Sequence, residues 1–225
     1  MIRRFAKRSE QLLRIYELLS GHYGNLGWWP GETPFEMMVL AVLTQNTAWS
    51  NVEKAIANLK SNGVLSPEKL LALAHDEIAS MIKPAGYFNV KTKRLTALLE
   101  FFRDEYSFSF EKMASEELSL ARLKLLNTHG VGGETADSIL LYCVNKPVFV
   151  IDAYTRRILK RLGIADGEES YEDLQGIFMR NLPADPALFN DYHAQFVIHG
   201  KTMCRTKPLC AGCPIAGMCS YNGKK

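Results

Sequence analysis

The residues of this chain whose types and spacing suggest chemistry are four clustered cysteines, three glycines in one turn, and an aspartate that opens a basic helix. Cys204, Cys210, Cys213 and Cys219 are spaced C-x5-C-x2-C-x5-C, while the fifth cysteine, Cys143, stands alone in an apolar stretch that suits an inert buried thiol. In a reducing cytosol, clustered thiols argue for a metal over disulfides. Four thiolates from one short loop suit a [4Fe–4S] cluster, whereas structural zinc more often takes two separated C-x-x-C knuckles. Lys201, Arg205 and Lys207 surround the cysteines, so the loop is also a candidate for contact with phosphate.

The glycines lie in "NTHGVGGETADS" (127–138), where Gly130, Gly132 and Gly133 precede a helical pattern and Glu134 falls in its first turn. A nucleotide-binding loop would follow a buried strand or carry a Gly-Lys-Ser/Thr ending, and both are missing. What precedes the turn is the helical segment "EELSLARLKLLN". A helix, a glycine hairpin and a second helix direct backbone N–H groups at one spot, a sequence-independent site for a DNA phosphate. A plain helix pair with a glycine turn is the alternative. Downstream, "VFVIDAYTRRILKRLG" sets Asp152 at the head of a helix bearing Arg156, Arg157, Lys160 and Arg161. Alone, Asp152 reads as an N-cap; beside a hairpin that grips DNA, the acid can also support chemistry at the sugar.

These residues need a scaffold, and the sequence describes a helical one. Its 225 residues, 47% hydrophobic and 23% charged, fit one large or two small soluble domains with a real core. Leu12, Ile15, Tyr16 and Leu19 mark one helix; Val52, Ile56 and Leu59 another, ended by Gly63; "SPEKLLALA" opens a third with Ser66 as cap. Leu95, Leu98, Leu99 and Phe102 mark a fourth, and further helices are expected at 118–127, 133–145, 153–162 and 187–200. "PVFVID" (147–152) is the one strand-like segment, too isolated to build a sheet. There is no internal repeat. The run "MMVLAVL" is too short to span a bilayer and the charged start is unlike a signal peptide, so a cytoplasmic protein is expected. A net charge of +3 permits an anionic partner without requiring one.

Taken together, "HGVGGETADSILLY", "VIDAYTRR" and "HGKTMCRTKPLCAGCPIAGMC", with "VLTQNTAWSNVEKAI" and "GYFNVKTKRL" in order before them, resemble the endonuclease III superfamily of DNA glycosylases. The resemblance implies an all-α, two-domain helix-hairpin-helix fold with a C-terminal iron–sulfur loop. Residues 26–137 would form a six-helix barrel domain carrying the hairpin and the DNA-intercalating loops. Residues 1–25 with 138–225 would form a helical domain with the catalytic Asp152 and the [4Fe–4S] ligands Cys204, Cys210, Cys213 and Cys219, although the first interval of the cysteine loop is one residue shorter than the family's usual one. Gln45 matches the position that enters the duplex, Tyr87 the opposing wedge, Gly130 and Gly132 the phosphate-binding hairpin, and Lys201 a further DNA contact.

Bifunctional members carry a lysine where this chain has Glu134, and a carboxylate cannot form the Schiff base of strand cleavage. The resemblance therefore implies a monofunctional enzyme that acts on double-stranded DNA holding a damaged base, as a monomer. The adenine-mismatch branch needs a glutamate where this chain has Ala41. Trp28, Trp29 and Pro30, with Trp49, either pack helices or wall an aromatic pocket, which would favour a cationic base such as an alkylated purine. "WWP", the tryptophan after "QNT", and Glu134 with a downstream aspartate look like the 3-methyladenine branch, some members of which lack the cluster. Glu134 would either face that base or serve as a surface or capping residue. The alternatives are a uracil or thymine-mismatch glycosylase reading its base with Asn46, an oxidised-pyrimidine glycosylase, and a non-catalytic iron–sulfur DNA-binding protein.

Overall fold

The spacing of Leu12, Ile15 and Leu19 is realised as α1 (Ile2–Tyr23), with all three side chains fully buried. The computed structural model describes residues 2–27 and 31–221. The chain splits into two compact units, one of Met1–Trp28 with Pro147–Lys225, the other of Trp29–Lys146.

In the unit formed by Trp29–Lys146, the run "PFEMMVLAVL" is apolar but for Glu36, which pairs with Lys60, and becomes the enclosed helix α2 (Pro34–Leu43). Thr33 caps it, accepting from the Glu36 amide, and Pro34 occupies the first helical position. Around it lie α3 (Trp49–Ser61), α4 (Pro67–Leu71), α5 (His75–Ile82), a 3-10 turn (Lys83–Ala85), α6 (Phe88–Tyr106), α7 (Phe110–Ser115), α8 (Leu118–Leu126) and α9 (Gly133–Val144). Ser66 caps α4 as expected, but that helix stops at Leu71 and α5 begins afresh, with Glu77 accepting from the Ala74 amide. α2 packs directly on α9, so the enclosed helix supports the second arm of the hairpin. The two arms are braced by Arg122 of α8, whose Nε and Nη2 donate to the fully buried Asp137 carboxylate of α9 at 2.7 and 3.1 Å. A unit boundary at 137/138 would cut α9. The chain changes unit at 146/147 instead, after Asn145 ends that helix in the left-handed region (φ 54°).

The other unit adds α10 (Ala153–Leu162), α11 (Tyr171–Met179) and α12 (Pro186–Thr202) to α1. Its core is aromatic: Phe149 stacks on Phe178 at 3.7 Å, with Phe189 and Tyr192 edge-on to Phe149, and Tyr192 donates its hydroxyl to Leu12 O. "PVFVID" crosses this core as an extended segment, and no strand occurs among the described residues. Its backbone finds partners on α11 in place of a neighbouring strand: Gln175 donates to Phe149 O, and Ile151 N donates to the Tyr171 hydroxyl. α10 and α12 approach closely at Gly200, where an added Cβ would lie 2.5 Å from the Tyr154 ring. No helix among the described residues is long and apolar enough to cross a membrane.

Because Asp137 is wholly buried against a guanidinium, Asp137→Asn should leave the helices in place yet destabilise the fold by about 3 kcal/mol. Urea unfolding followed by circular dichroism measures this; a loss below about 0.5 kcal/mol, the scale of an ordinary surface change, would show that the pair does not brace the hairpin.

Candidate active site

Gly130 is fixed by two constraints in the hairpin. Its backbone is left-handed (φ 80°), and a Cβ there would meet Arg94 Cγ at 2.1 Å. Gly132 is different: it is extended (φ −98°, ψ −179°), an added Cβ would meet no atom within 4 Å, and it begins α9 without a side-chain cap. The approach to the first turn of α9 is therefore open, and Glu134 lies exposed on that turn. Gln45 is half-buried and tied to the hairpin, its Nε2 donating to Gly130 O (3.3 Å) and Thr135 Oγ1 (3.0 Å) while its Oε1 accepts from Arg94 Nη1. Tyr87 is 72% exposed and left-handed (φ 47°) at the head of α6. The same unit buries Lys91, which donates to Leu43 O, Ala85 O and Thr47 Oγ1. Burial foremost, with Arg94 nearby, draws its pKa down to about 8.

In the other unit, Asp152 is the N-cap of α10. Its Oδ1 accepts from the Thr155 amide at 2.7 Å, and Oδ2 lies 3.7 Å from Nε2 of the buried His193 on α12. Burial acts to raise the carboxyl pKa, but the polar contact and charge of His193, together with the Thr155 amide, outweigh it and hold Asp152 below the usual carboxylate value. The N-terminus of α10 also favours negative charge there. The result is a largely buried carboxylate that stays ionised, a group suited to opposing positive charge developing on a neighbouring molecule.

The four cysteines of the same unit line one recess, walled by Ile158, Leu162 and His199. None of the four is joined to another in a disulfide. Burial foremost, against a lowering bond to the Ile215 backbone and with the neighbouring cysteines adding to it, raises the Cys213 thiol pKa. Among the described residues no three His, Cys, Asp or Glu side chains converge on a single ion. A cuboidal cluster asks something else, namely one thiolate for each iron around an apolar recess, and this donor set fits it. Two guanidinium groups of α10 fasten the loop: Arg161 donates to Cys204 Sγ (3.2 Å) and to the Cys204, Arg205 and Thr206 carbonyls, and Arg157 to Cys204 O and Gly200 O. His199 accepts or donates at Nδ1 against the Tyr23 hydroxyl, and burial, with His22 nearby, pulls it down to about 4.

Of the other residues expected at the site, Lys201 is exposed at the end of α12, as are Arg205 and Lys207 on the loop. Trp49 starts α3 and donates Nε1 to Glu53 Oε1. Trp28, Trp29 and Pro30 lie outside the described residues. The structure brings Gln45 to Gly130 and gathers the four cysteines, while Glu134 and Asp152 belong to different units. Sequence reasoning missed Lys91, His193 and the loop-fastening role of Arg157 and Arg161. The available signal was a histidine among Phe189, Tyr192 and Phe196 on an apolar face, and a lysine one and two turns before the core positions Leu95 and Leu98.

The family model described as HhH-GPD superfamily base excision DNA repair protein matches residues 39–184. A provisionally named DNA repair glycosylase of Methanocaldococcus jannaschii is 44% identical over 212 residues, covering 93% of this chain and 96% of its own. H. pylori 3-methyladenine DNA glycosylase bound to 1,N6-ethenoadenine superposes with a TM-score of 0.75 at 29% identity, over 86% of this chain and 97% of that one. A non-covalent endonuclease III–DNA complex reaches 0.80 at 20% identity over 94% of each chain, a likeness of fold. The match over most of the chain, on a helical frame with a glycine hairpin and a capping aspartate, makes this protein a member of the HhH-GPD superfamily of base excision DNA repair proteins.

Proposed function

We propose that this DNA glycosylase is monofunctional and releases alkylated purines, of which 3-methyladenine is the type. Asp152 carries the reading. As the N-glycosidic bond breaks, its ionised carboxylate would oppose the positive charge on the sugar and orient the attacking water. An N3-alkylated purine is cationic before the bond breaks and leaves neutral with the bonding electrons. The sugar carbon takes hydroxyl from water, and the released proton passes to solvent. The extended, uncapped Gly132 and the start of α9 would hold a backbone phosphate. Glu134, exposed in that turn, offers no amine for a Schiff base, so the product would be an intact strand with an abasic site.

The alkylpurine preference is supported by the likeness to the H. pylori enzyme, which runs over 97% of that chain at 29% identity. Trp49 at the head of α3 supplies one aromatic face, and Trp28 and Trp29 precede it in the sequence. Cys204, Cys210, Cys213 and Cys219 would hold a [4Fe–4S] cluster. When bound, it would stabilise the loop bearing Arg205 and Lys207, with Lys201 beside it, against DNA and would take no part in base release.

Duplexes bearing 3-methyladenine, uracil, a thymine mismatch or an oxidised pyrimidine test the substrate class directly. Release from the alkylated duplex should dominate; preferential release of a pyrimidine would overturn it. Asp152→Asn keeps a helix cap, since asparagine caps as well as aspartate, and should slow base release by about 100-fold or more while leaving DNA affinity intact. Equal activity would remove Asp152 from the chemistry and favour a non-catalytic binding protein. Borohydride should trap no covalent DNA adduct, and strand breaks should appear only after alkali; an adduct would contradict the monofunctional reading. Elemental analysis of the purified protein should give about four irons per chain, with Cys213→Ser losing most of the iron. One zinc per chain would instead indicate a zinc loop.

A further inference from the structure

Lys91 is 1% exposed, and all three of its acceptors are uncharged. An ammonium buried away from any carboxylate is costly, so its partners identify what the charge is for. Leu43 O, at 2.6 Å, ends α2; Ala85 O, at 2.9 Å, ends the 3-10 turn. Helix C-termini present orphan carbonyls and negative partial charge, and one ammonium satisfies two of them together. The third acceptor, Thr47 Oγ1, directs its single hydroxyl hydrogen at Ala85 O, with Gln45 O a longer alternative at 3.2 Å.

These contacts join two loops, 44–48 and 85–88, that are remote in sequence. Each contains a non-glycine residue in the left-handed region, Asn46 (φ 51°), of a type that adopts it readily, and Tyr87 (φ 47°), whose bulky side chain keeps it only when its surroundings enforce it. Tyr87, at 72%, heads the exposed large apolar side chains among the described residues, and the Lys91 amide donates to its carbonyl. An exposed aromatic held on a strained, internally bonded loop is preorganised to insert.

We propose that Lys91 is a positioning residue that locks the 44–48 and 85–88 loops into one preformed wedge, which enters the duplex as a unit where a base has been extruded. The inference rests on the glycosylase reading above. Extrusion leaves a gap in the stack, and loops already ordered fill it without a further loss of conformational freedom.

The probe is a duplex with one tetrahydrofuran abasic analogue opposite 2-aminopurine, whose fluorescence rises when its stacking is disturbed; an undamaged duplex is the control. Lys91→Met removes all three donors and keeps an apolar stem, while Thr47→Val removes one leg of the network. Affinity for the abasic duplex should fall about tenfold in Lys91→Met and about threefold in Thr47→Val, with the fluorescence rise reduced in the same order. Affinity for the undamaged duplex should stay within about twofold, because phosphate contacts at the hairpin are untouched. Equal losses on both duplexes would mean that Lys91 only supports the fold, and unchanged affinity with full fluorescence would mean that the loops insert without it; either overturns the proposal. Thermal unfolding without DNA checks each variant, and Thr47→Val decides alone if Lys91→Met does not fold. If the unmodified protein binds the abasic duplex no better than the undamaged one, the glycosylase reading itself fails.

Discussion

Keeping a carboxylate ionised where water is scarce is the constraint around which one whole unit is arranged. Burial pushes the Asp152 carboxyl toward its neutral form, and His193 near one oxygen, the Thr155 amide on the other and the helix start that favours an anion oppose that push. His193 reaches it because α12 lies close against α10, and the approach depends on a glycine at 200 under the Tyr154 ring. The aromatic cluster of Phe149, Phe178, Phe189 and Tyr192 fixes α12 in turn, and the extended segment 147–152 delivers Asp152 out of that cluster. Packing, capping and the state of one proton are thus a single problem.

Elsewhere the chain places cations by a related rule, against backbone carbonyls. Arg157 and Arg161 direct their donors at the cysteine loop, and Lys91 directs its own at the ends of two helices. Oxygen atoms at helix ends and in loops lack partners by geometry, and a long cationic side chain supplies them at several points together. The basic stripe on α10 therefore shapes the site more than it covers it with charge. Lys160 of α10 is exposed to solvent, as are Lys201, Arg205 and Lys207 around the loop.

Much of this was legible in the sequence because local rules dominate at those points. Ser66 before Pro67, Gly130 in a turn, and Asp152 before an amphipathic helix are capping and turn signals with strict stereochemistry, and each appears where it was expected. The longer helices followed from periodicity, whereas α5, α7 and α11 were not singled out in the sequence. "PVFVID" has strand composition but is satisfied by side chains of α11, a tertiary arrangement no local pattern encodes. The contacts of Lys91 with residues 43, 47 and 85, and of His193 with Asp152, are non-local for the same reason. Gln45 was singled out by resemblance alone, and its bonds to Gly130, Thr135 and Arg94 are non-local as well.

The charge of Asp152 is open to direct measurement. A 13C NMR titration of protein labelled at aspartate carboxyls, with the Asp152→Asn variant to assign the signal, follows its ionisation. The folded pKa lies below the ordinary aspartate value of 3.8, so the carboxyl should remain ionised from neutral pH down past that value. Its contribution to stability should accordingly be present above 3.8 and be lost as pH falls through the folded pKa. A titration midpoint above 3.8 would mean that burial outweighs the Thr155 amide and His193, and the central claim would be wrong.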